Sequence, residues 1–214
     1  PNLGSIDMVL DTKEMLPKLS SKSNRIHLVY VGAIDQENPK ITRYLIPQIY
    51  ELSMQGFIID IYPSKDGDYF KNKNIVNVNV MKKQNPKKLI QILSQYDCGL
   101  TLVNPNSNNM PEELKFGFWN KTFDYLMAGI PQITLDQFLV ISNFIKQNQF
   151  GITVSSLNDL DRNHNNLLCY LSSLESNILK ENKNYTFESQ IQKIYSFYRD
   201  VIKRYHLKKI QELK

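Results

Sequence analysis

Short runs of β-branched and aromatic residues, each followed by a stretch with helical periodicity, recur along most of this chain of 214 residues. Buried strands that alternate with helices are typical of βαβ units, whose strands form a parallel sheet covered by helices on both faces. The pattern therefore predicts an α/β fold with a doubly wound, Rossmann-like parallel sheet of about six strands. The predicted strands are residues 26–32, 57–63, 75–81, 98–103, 131–135 and 150–154.

Helical periodicity is predicted between most of these strands. One predicted helix covers residues 40–55, where Pro47 indicates a late start or a kink and Gly56 indicates the end. Another begins after Asn85, a predicted N-cap, with Pro86 in its first turn. Residues 20–24 are rich in serine and predict a loop. The remaining predicted helices begin near residues 120, 137 and 187, and the last one extends to residue 213.

The composition is that of an ordinary globular domain, with 42% hydrophobic and 22% charged residues. A single domain of 214 residues can bury a sizeable core without disulfides or metals. Two lone cysteines and three scattered histidines predict neither a disulfide framework nor a metal site, so we expect no metal and no cofactor. The net charge of +5 fits an anionic ligand, although charge of this size also simply keeps a protein soluble.

The loops that follow the predicted strands are the expected location of a ligand. In open parallel sheets, ligands bind beyond the carboxyl ends of the strands. Three such loops are long enough to contribute, at residues 33–40, 63–74 and 104–120.

The segment NKTFDYLMAGIP, residues 120–131, is predicted to be a short amphipathic helix that ends at a glycine and a proline. A helix N-terminus binds phosphate well, and Lys121 would add positive charge there. Asp124 lies one turn further along the same predicted face, where it could accept hydrogen bonds from two vicinal hydroxyls. The alternative is an ordinary core helix, capped by Asn120, with two exposed charges.

The same segment, read as NKTFDYLMAGIPQI, resembles the P-N-K-x-x-E-Y-x-A-x-G-x-P-V-I signature of the donor-binding domain of GT-B glycosyltransferases, in the retaining group known as glycosyl transferases group 1 or family 4. Four other segments resemble that domain in the same order: LVYVGAI, KITRYLI, KKLIQILSQYDCGLTLVNP and QFGITV. The resemblance implies that residues 1–214 are one Rossmann-like domain, half of a GT-B fold.

The resemblance also implies which residues bind the nucleotide sugar. Asp124 takes the place of a glutamate that holds the ribose hydroxyls, and Lys40 that of a basic residue near the pyrophosphate. Gly32 takes the place of the first-turn glycine near the phosphates. The complete predicted donor-binding set is Gly32, Lys40, Gly117, Phe118, Asn120, Lys121 and Asp124, in which Gly117 and Phe118 occupy the loop that meets the donor phosphate and sugar.

Several positions depart from the family pattern. Ala33 replaces an arginine, Ile41 replaces a glycine, and Phe116 occupies the place of a first acidic residue. Glu112 and Glu113 lie just upstream of that place, and Lys65 is a candidate substitute cation. The alternatives to a transferase are therefore a degenerate, non-catalytic binding module of this fold or a sugar-nucleotide epimerase.

The implied function is transfer of a sugar from a nucleotide sugar to a glycan or lipid-linked acceptor in surface polysaccharide or lipopolysaccharide synthesis. The amino-terminal acceptor domain of such enzymes has no room in this chain, so we expect the chain alone to bind a donor and transfer nothing. The last helix is expected to pack on the sheet or on that missing domain. Its basic residues, Lys203, Arg204, Lys208 and Lys209, also allow contact with an anionic membrane. We expect a cytoplasmic location, free or at the inner membrane face, and no nucleic-acid partner.

Overall fold

The computed structural model describes residues 9–64, 75–107, 116–161 and 163–212, with side chains to residue 205. Six parallel strands form one sheet in the order β3-β2-β1-β4-β5-β6. This order is that of a doubly wound Rossmann-like sheet and confirms the predicted fold class. The strands are β1 (His27–Val31), β2 (Ile58–Tyr62), β3 (Val78–Val80), β4 (Cys98–Leu100), β5 (Gln132–Leu135) and β6 (Gly151–Val154).

Helices cover both faces of the sheet. Side chains of β1 alternate between two apolar layers, with Leu28 and Tyr30 in one and Val29 in the other. Helix α2 packs in the first layer, and α3 and α4 pack in the second. The helices are α1 (Ser20–Ser23), α2 (Ile46–Met54), α3 (Pro86–Leu93), α4 (Asn120–Met127), α5 (Leu139–Asn148), α6 (His164–Glu181) and α7 (Phe187–Glu212). Short 3-10 helices lie at Thr12–Glu14, Leu157–Asp159 and Asn182–Tyr185.

Of two predictions near β1, one is confirmed in its late-start form and one is wrong. The helix predicted from residue 40 begins at Ile46, with Pro47 in its first turn, as the late-start reading of that proline allowed. Residues before it form a loop, in which the Asp35 carboxylate accepts hydrogen bonds from two following backbone N–H groups. Residues 20–23 form the helix α1 instead of a loop: the N–H of Asn24, in the left-handed conformation, closes the turn on the Ser20 carbonyl at 2.9 Å, and the Ser20 hydroxyl donates to the buried Asp97 carboxylate at 2.5 Å.

Strand β4 ends at Leu100, three residues earlier than the sequence predicts. It pairs with β1 only at Leu28↔Cys98 and Val29↔Gly99, whereas β1 pairs with β2 over all five of its residues. The carboxyl ends of β1 and β4 are therefore not paired with each other at the point where the strand order reverses, although Val31 still pairs with β2 and Leu100 with β5. That point is where doubly wound sheets form their ligand crevice.

Helix α7 is 26 residues long, close to the predicted extent. Its described side chains present a row of large exposed apolar groups at helical spacing: Phe187, Ile191, Tyr195, Phe197, Tyr198, Val201, Ile202 and Tyr205. Among the described helices, none is both long and apolar enough to cross a membrane.

Candidate functional site

Helix α4 connects the crevice between β1 and β4 to the next strand of the sheet. Its buried side chains are Thr122, Tyr125 and Leu126, which anchor it on the sheet. Its N-cap is Trp119 and makes no side-chain capping hydrogen bond, so the alternative in which Asn120 caps an ordinary core helix is wrong in that detail. The first-turn N–H groups of α4 thus lack a side-chain cap, which leaves them suited to an anion.

A groove of about 890 Å³ runs between α3 and α4. Asn120 and Asp124 line one wall, one helical turn apart, and the first turn of α3 lines the other. That turn begins at Asn85, whose side chain accepts a hydrogen bond from the Lys88 N–H at 2.9 Å, as its predicted N-cap role requires. The complete lining is Leu10, Glu14, Gln84, Asn85, Pro86, Lys87, Lys88, Leu89, Ile90, Gln91, Asn120, Phe123, Asp124 and Met127.

The carboxylate of Asp124 is half-buried in this groove. Burial raises the pKa of Asp124 to about 6, and the positive charge of Lys121 opposes that rise. Within the described part of the chain, no group donates a hydrogen bond to this carboxylate. A partly desolvated acid without donors is typical of a ligand-binding position, because a ligand hydroxyl can supply the missing hydrogen bond.

Lys121 has different surroundings from Asp124 and is not a solvated charge. Its ammonium lies 4.0 Å from the centre of the Tyr30 ring and 5.9 Å from that of Trp119. It also donates a hydrogen bond of 3.4 Å to the backbone carbonyl of Leu102, just beyond β4. The structure therefore places this cation at the carboxyl ends of β1 and β4, where an anionic ligand would be stabilised.

Gly32 lies at the same crevice, directly after β1. Its φ of 138° favours glycine, and its N–H donates to the Tyr62 carbonyl at 3.0 Å. A Cβ atom at this position would lie 3.3 Å from the Tyr30 hydroxyl. Since Lys121 also contacts Tyr30, the structure brings Gly32 to the hydroxyl end of a tyrosine whose ring face is covered by Lys121.

Lys40 is exposed on the loop that follows β1. That loop is held by the buried Asn104, whose side chain donates hydrogen bonds to the carbonyls of Pro39 and Ile41 at 2.8 and 3.1 Å. Asn104 follows β4, so it ties the loops after β1 and β4 together. Lys40 is thus an exposed residue of a loop that is tied to the loop after β4.

Phe118 is not among the residues that line the groove. Its ring contacts those of Phe123 and Phe144, with centres 5.7 and 5.1 Å away, and so belongs to an aromatic cluster against α5. Gly117 is half-buried just before it and does not line the groove either. Lys65, Glu112 and Glu113 lie outside the described residues, and Phe116 is exposed.

Sequence reasoning missed the residues that hold the site in place. Tyr125, Asn104 and Gln132 are buried polar residues whose side chains bond to backbone in neighbouring elements. A tyrosine on the buried face of an amphipathic helix was an available signal, because a buried phenol needs a hydrogen-bond partner. No comparable signal identifies Asn104. Within the described residues there is no group of three or more His, Cys, Asp or Glu side chains that could hold a metal ion.

A known structure shares this architecture. Sucrose-phosphate synthase from Thermosynechococcus elongatus superimposes with a TM-score of 0.58 at 12% identity, over 92% of this chain and 52% of that one. The glycosyltransferase SnogD from Streptomyces nogalater matches 88% of this chain and 46% of its own, with a TM-score of 0.48 and 14% identity. The chain thus spans about half the length of the structures it matches.

No curated protein sequence matches the chain. The sequence family described as "Glucosyltransferase 3-like, C-terminal domain" matches residues 46–210, which are most of this chain. This match confirms the resemblance to glycosyltransferases that the motifs indicated. The chain belongs to the family of glucosyltransferase 3-like C-terminal domains.

Proposed function

We propose that this chain is the donor-binding half of a retaining glycosyltransferase and that it binds a nucleotide sugar between α3, α4 and the crevice of the sheet. The observation that carries this proposal is the Asp124 carboxylate, half-buried in the groove without a donor from the described residues. Two neighbouring hydroxyls of a ribose would supply the hydrogen bonds that this carboxylate lacks. Asn120, on the same wall, adds an amide that can donate or accept.

The phosphates of the donor would bind where positive charge and free N–H groups converge. Lys121 and the uncapped first turn of α4 are at the crevice, and Lys40 is on the adjoining loop. As the sugar leaves, negative charge builds on the nucleoside diphosphate, and these groups would stabilise it electrostatically. This role requires neither a metal ion nor another cofactor.

Transfer of the sugar also requires a domain that binds the acceptor. We propose that an amino-terminal domain supplies it, and that the acceptor is a glycan or a lipid-linked sugar in surface polysaccharide or lipopolysaccharide synthesis. The exposed apolar row of α7 is suited to cover part of such a domain. On this proposal the isolated chain binds the donor and transfers no sugar.

The alternative to packing on an acceptor domain is that α7 contacts the inner membrane face. Arg199 and Arg204 lie on opposite sides of its apolar row by helical spacing, an arrangement found in helices that lie on anionic bilayers. Co-sedimentation with phosphatidylglycerol vesicles, but not with phosphatidylcholine vesicles, would support the membrane contact. Absence from both vesicle pellets would leave the acceptor domain as the partner.

Titration of the chain with UDP-, GDP- and ADP-linked sugars, followed by calorimetry, tests donor binding. We expect one of the three nucleotides to bind, and Asp124→Ala to weaken its affinity about 100-fold. The 2′,3′-dideoxy form of the same nucleotide should bind the wild type as weakly as the natural form binds the variant. Asp161→Ala, which alters an exposed acid, is the matched control and should leave affinity unchanged. Binding by none of the three at millimolar concentration, or equal binding by Asp124→Ala, would contradict the proposal.

A further inference from the structure

Between the carboxyl ends of β1 and β4, a tyrosine side chain takes the place of a ladder hydrogen bond. Strand pairing stops at Val29↔Gly99, yet β1 continues to Val31 and β4 to Leu100. The hydroxyl of Tyr125 accepts a hydrogen bond from the Val31 N–H at 3.1 Å. It also lies 3.2 Å from the carbonyl oxygens of Val29 and Leu100, to either of which it can donate its proton.

The ring of Tyr125 is packed so closely on the sheet that it has no other position there. It lies directly on Gly99, where an added Cβ atom would approach the ring carbons to 2.5 Å. Both the ring and the hydroxyl are completely buried. Tyr125 therefore fixes the height of α4 above the sheet through its ring, and the position of α4 along the strands through its hydroxyl.

A second buried side chain fixes the first turn of the same helix. The Gln132 amide donates to the Thr122 carbonyl at 3.0 Å, and the Thr101 hydroxyl orients that amide by donating to its oxygen at 2.7 Å. These contacts bracket the turn of α4 that carries Lys121. Tyr125 itself directly follows Asp124, so a displacement of its ring would displace both candidate ligand-binding groups.

We propose that Tyr125 is a positioning residue for donor binding: its hydroxyl joins the separated ends of β1 and β4 and thereby holds Asp124 in the groove and Lys121 at the crevice. This inference rests on the proposed donor-binding function. A hydroxyl can satisfy the unpaired Val31 N–H and a carbonyl of β4 together, which an apolar side chain of the same volume cannot.

Tyr125→Phe in the full chain tests the proposal, because it retains the ring and removes the hydroxyl. We expect the affinity for whichever of UDP, GDP or ADP the wild type binds to fall about 10-fold. The pH at which affinity is half lost, about 6 in the wild type if Asp124 must be ionised, should move lower as water reaches the carboxylate. Amide hydrogen exchange should accelerate at Val31 and along α4, with or without nucleotide.

Tyr185→Phe is the matched control, since it removes a hydroxyl that donates to Asn148 in the aromatic cluster beside α5. It should leave affinity, its pH midpoint and exchange at Val31 unchanged. Equal affinity in Tyr125→Phe and wild type would overturn the proposal, as would a weakening that Tyr185→Phe shares.

If the wild type binds none of the three nucleotides, the proposed function fails. Hydrogen exchange tests the positioning role separately: unchanged exchange at Val31 in Tyr125→Phe would overturn the joining of β1 to β4. If Tyr125→Phe does not fold, Gln132→Met, which frees the first turn of α4, should weaken nucleotide binding in the same direction, and unchanged binding would overturn the proposal.

Discussion

The ammonium of Lys121 lies 4.0 Å from the centre of the Tyr30 ring, so a charge on α4 is held over the end of β1. Contact with an aromatic face stabilises a cation by about 0.5–2 kcal/mol when it is partly desolvated. It also leaves the remaining N–H groups of the ammonium available at the crevice. Tyr30 thus keeps the cation extended toward the position where phosphates are proposed to bind.

Lys121→Gln is predicted to weaken binding of a nucleoside diphosphate about 10-fold and to leave binding of the corresponding nucleoside nearly unchanged, because Lys121 would contact only phosphate. Calorimetric titration with both ligands measures the difference. Lys193→Gln, at an exposed position of α7, controls for the change in net charge. Equal losses for nucleoside and nucleotide would show that Lys121 does not act on the phosphates.

Asp124→Asn is predicted to stabilise the fold at pH 8 while it removes donor binding. Burial raises the pKa of Asp124 to about 6, so the folded chain binds this proton more tightly than the unfolded chain, whose aspartate has an ordinary value of 3.8. The ionised carboxylate therefore costs stability above pH 6. Asparagine should recover about 1–2 kcal/mol there, after allowance for partial solvation.

The sign of this effect follows from proton binding. Between about pH 4 and 6 the folded state holds more protons at Asp124 than the unfolded state, so stability falls as pH rises through this range. The advantage of Asp124→Asn should accordingly be mostly lost near pH 4, where the folded state is protonated and the unfolded state is about half protonated. Urea unfolding of wild type, Asp124→Asn and Asp161→Asn at pH 4 and pH 8 measures the difference in the free energy of unfolding. A stabilisation of equal size at both pH values would contradict the burial of the carboxylate.

Gly99→Ala is predicted to destabilise the chain by about 3 kcal/mol, because its methyl group would lie 2.5 Å from ring carbons of the fully buried Tyr125. Neither the ring nor the strand can move without breaking hydrogen bonds between β1, β4 and α4. Chemical denaturation measures the loss, with Ser196→Ala on the exposed surface of α7 as the control. A change below about 0.5 kcal/mol, the usual size for a surface substitution, would show that α4 is not held tightly on Gly99.

The apolar row of α7 is predicted to contribute little to the stability of this chain. Tyr198 and Ile202 are 61% and 55% exposed, so the double change to serine should alter the free energy of unfolding by less than about 1 kcal/mol. Ile178→Ala in α6, at a residue with 0% exposure, should cost about 2–5 kcal/mol. Urea unfolding compares the two variants, and similar losses would mean that α7 packs on the sheet domain in solution.

The local pattern of the sequence determined the elements and their order. Runs such as residues 26–32 and 57–63 are mostly apolar, with His27 and Asp60 as the exceptions, because both faces of a central parallel strand are buried. Glycine and proline marked the ends of α2 and α4, where backbone restrictions act on single residues. The motif that contains Asp124 also depends on short spacing, and it was sufficient to indicate the family.

Only the tertiary structure decided how the two charges of α4 differ. Lys121 and Asp124 are three residues apart, but one contacts Tyr30, distant in sequence, and the other faces the groove beside α3. Burial and long-range contacts set these environments, and no local pattern contains them. For the same reason, no local pattern indicates that Phe118 packs against Phe144 or that the hydroxyl of Tyr125 joins β1 to β4.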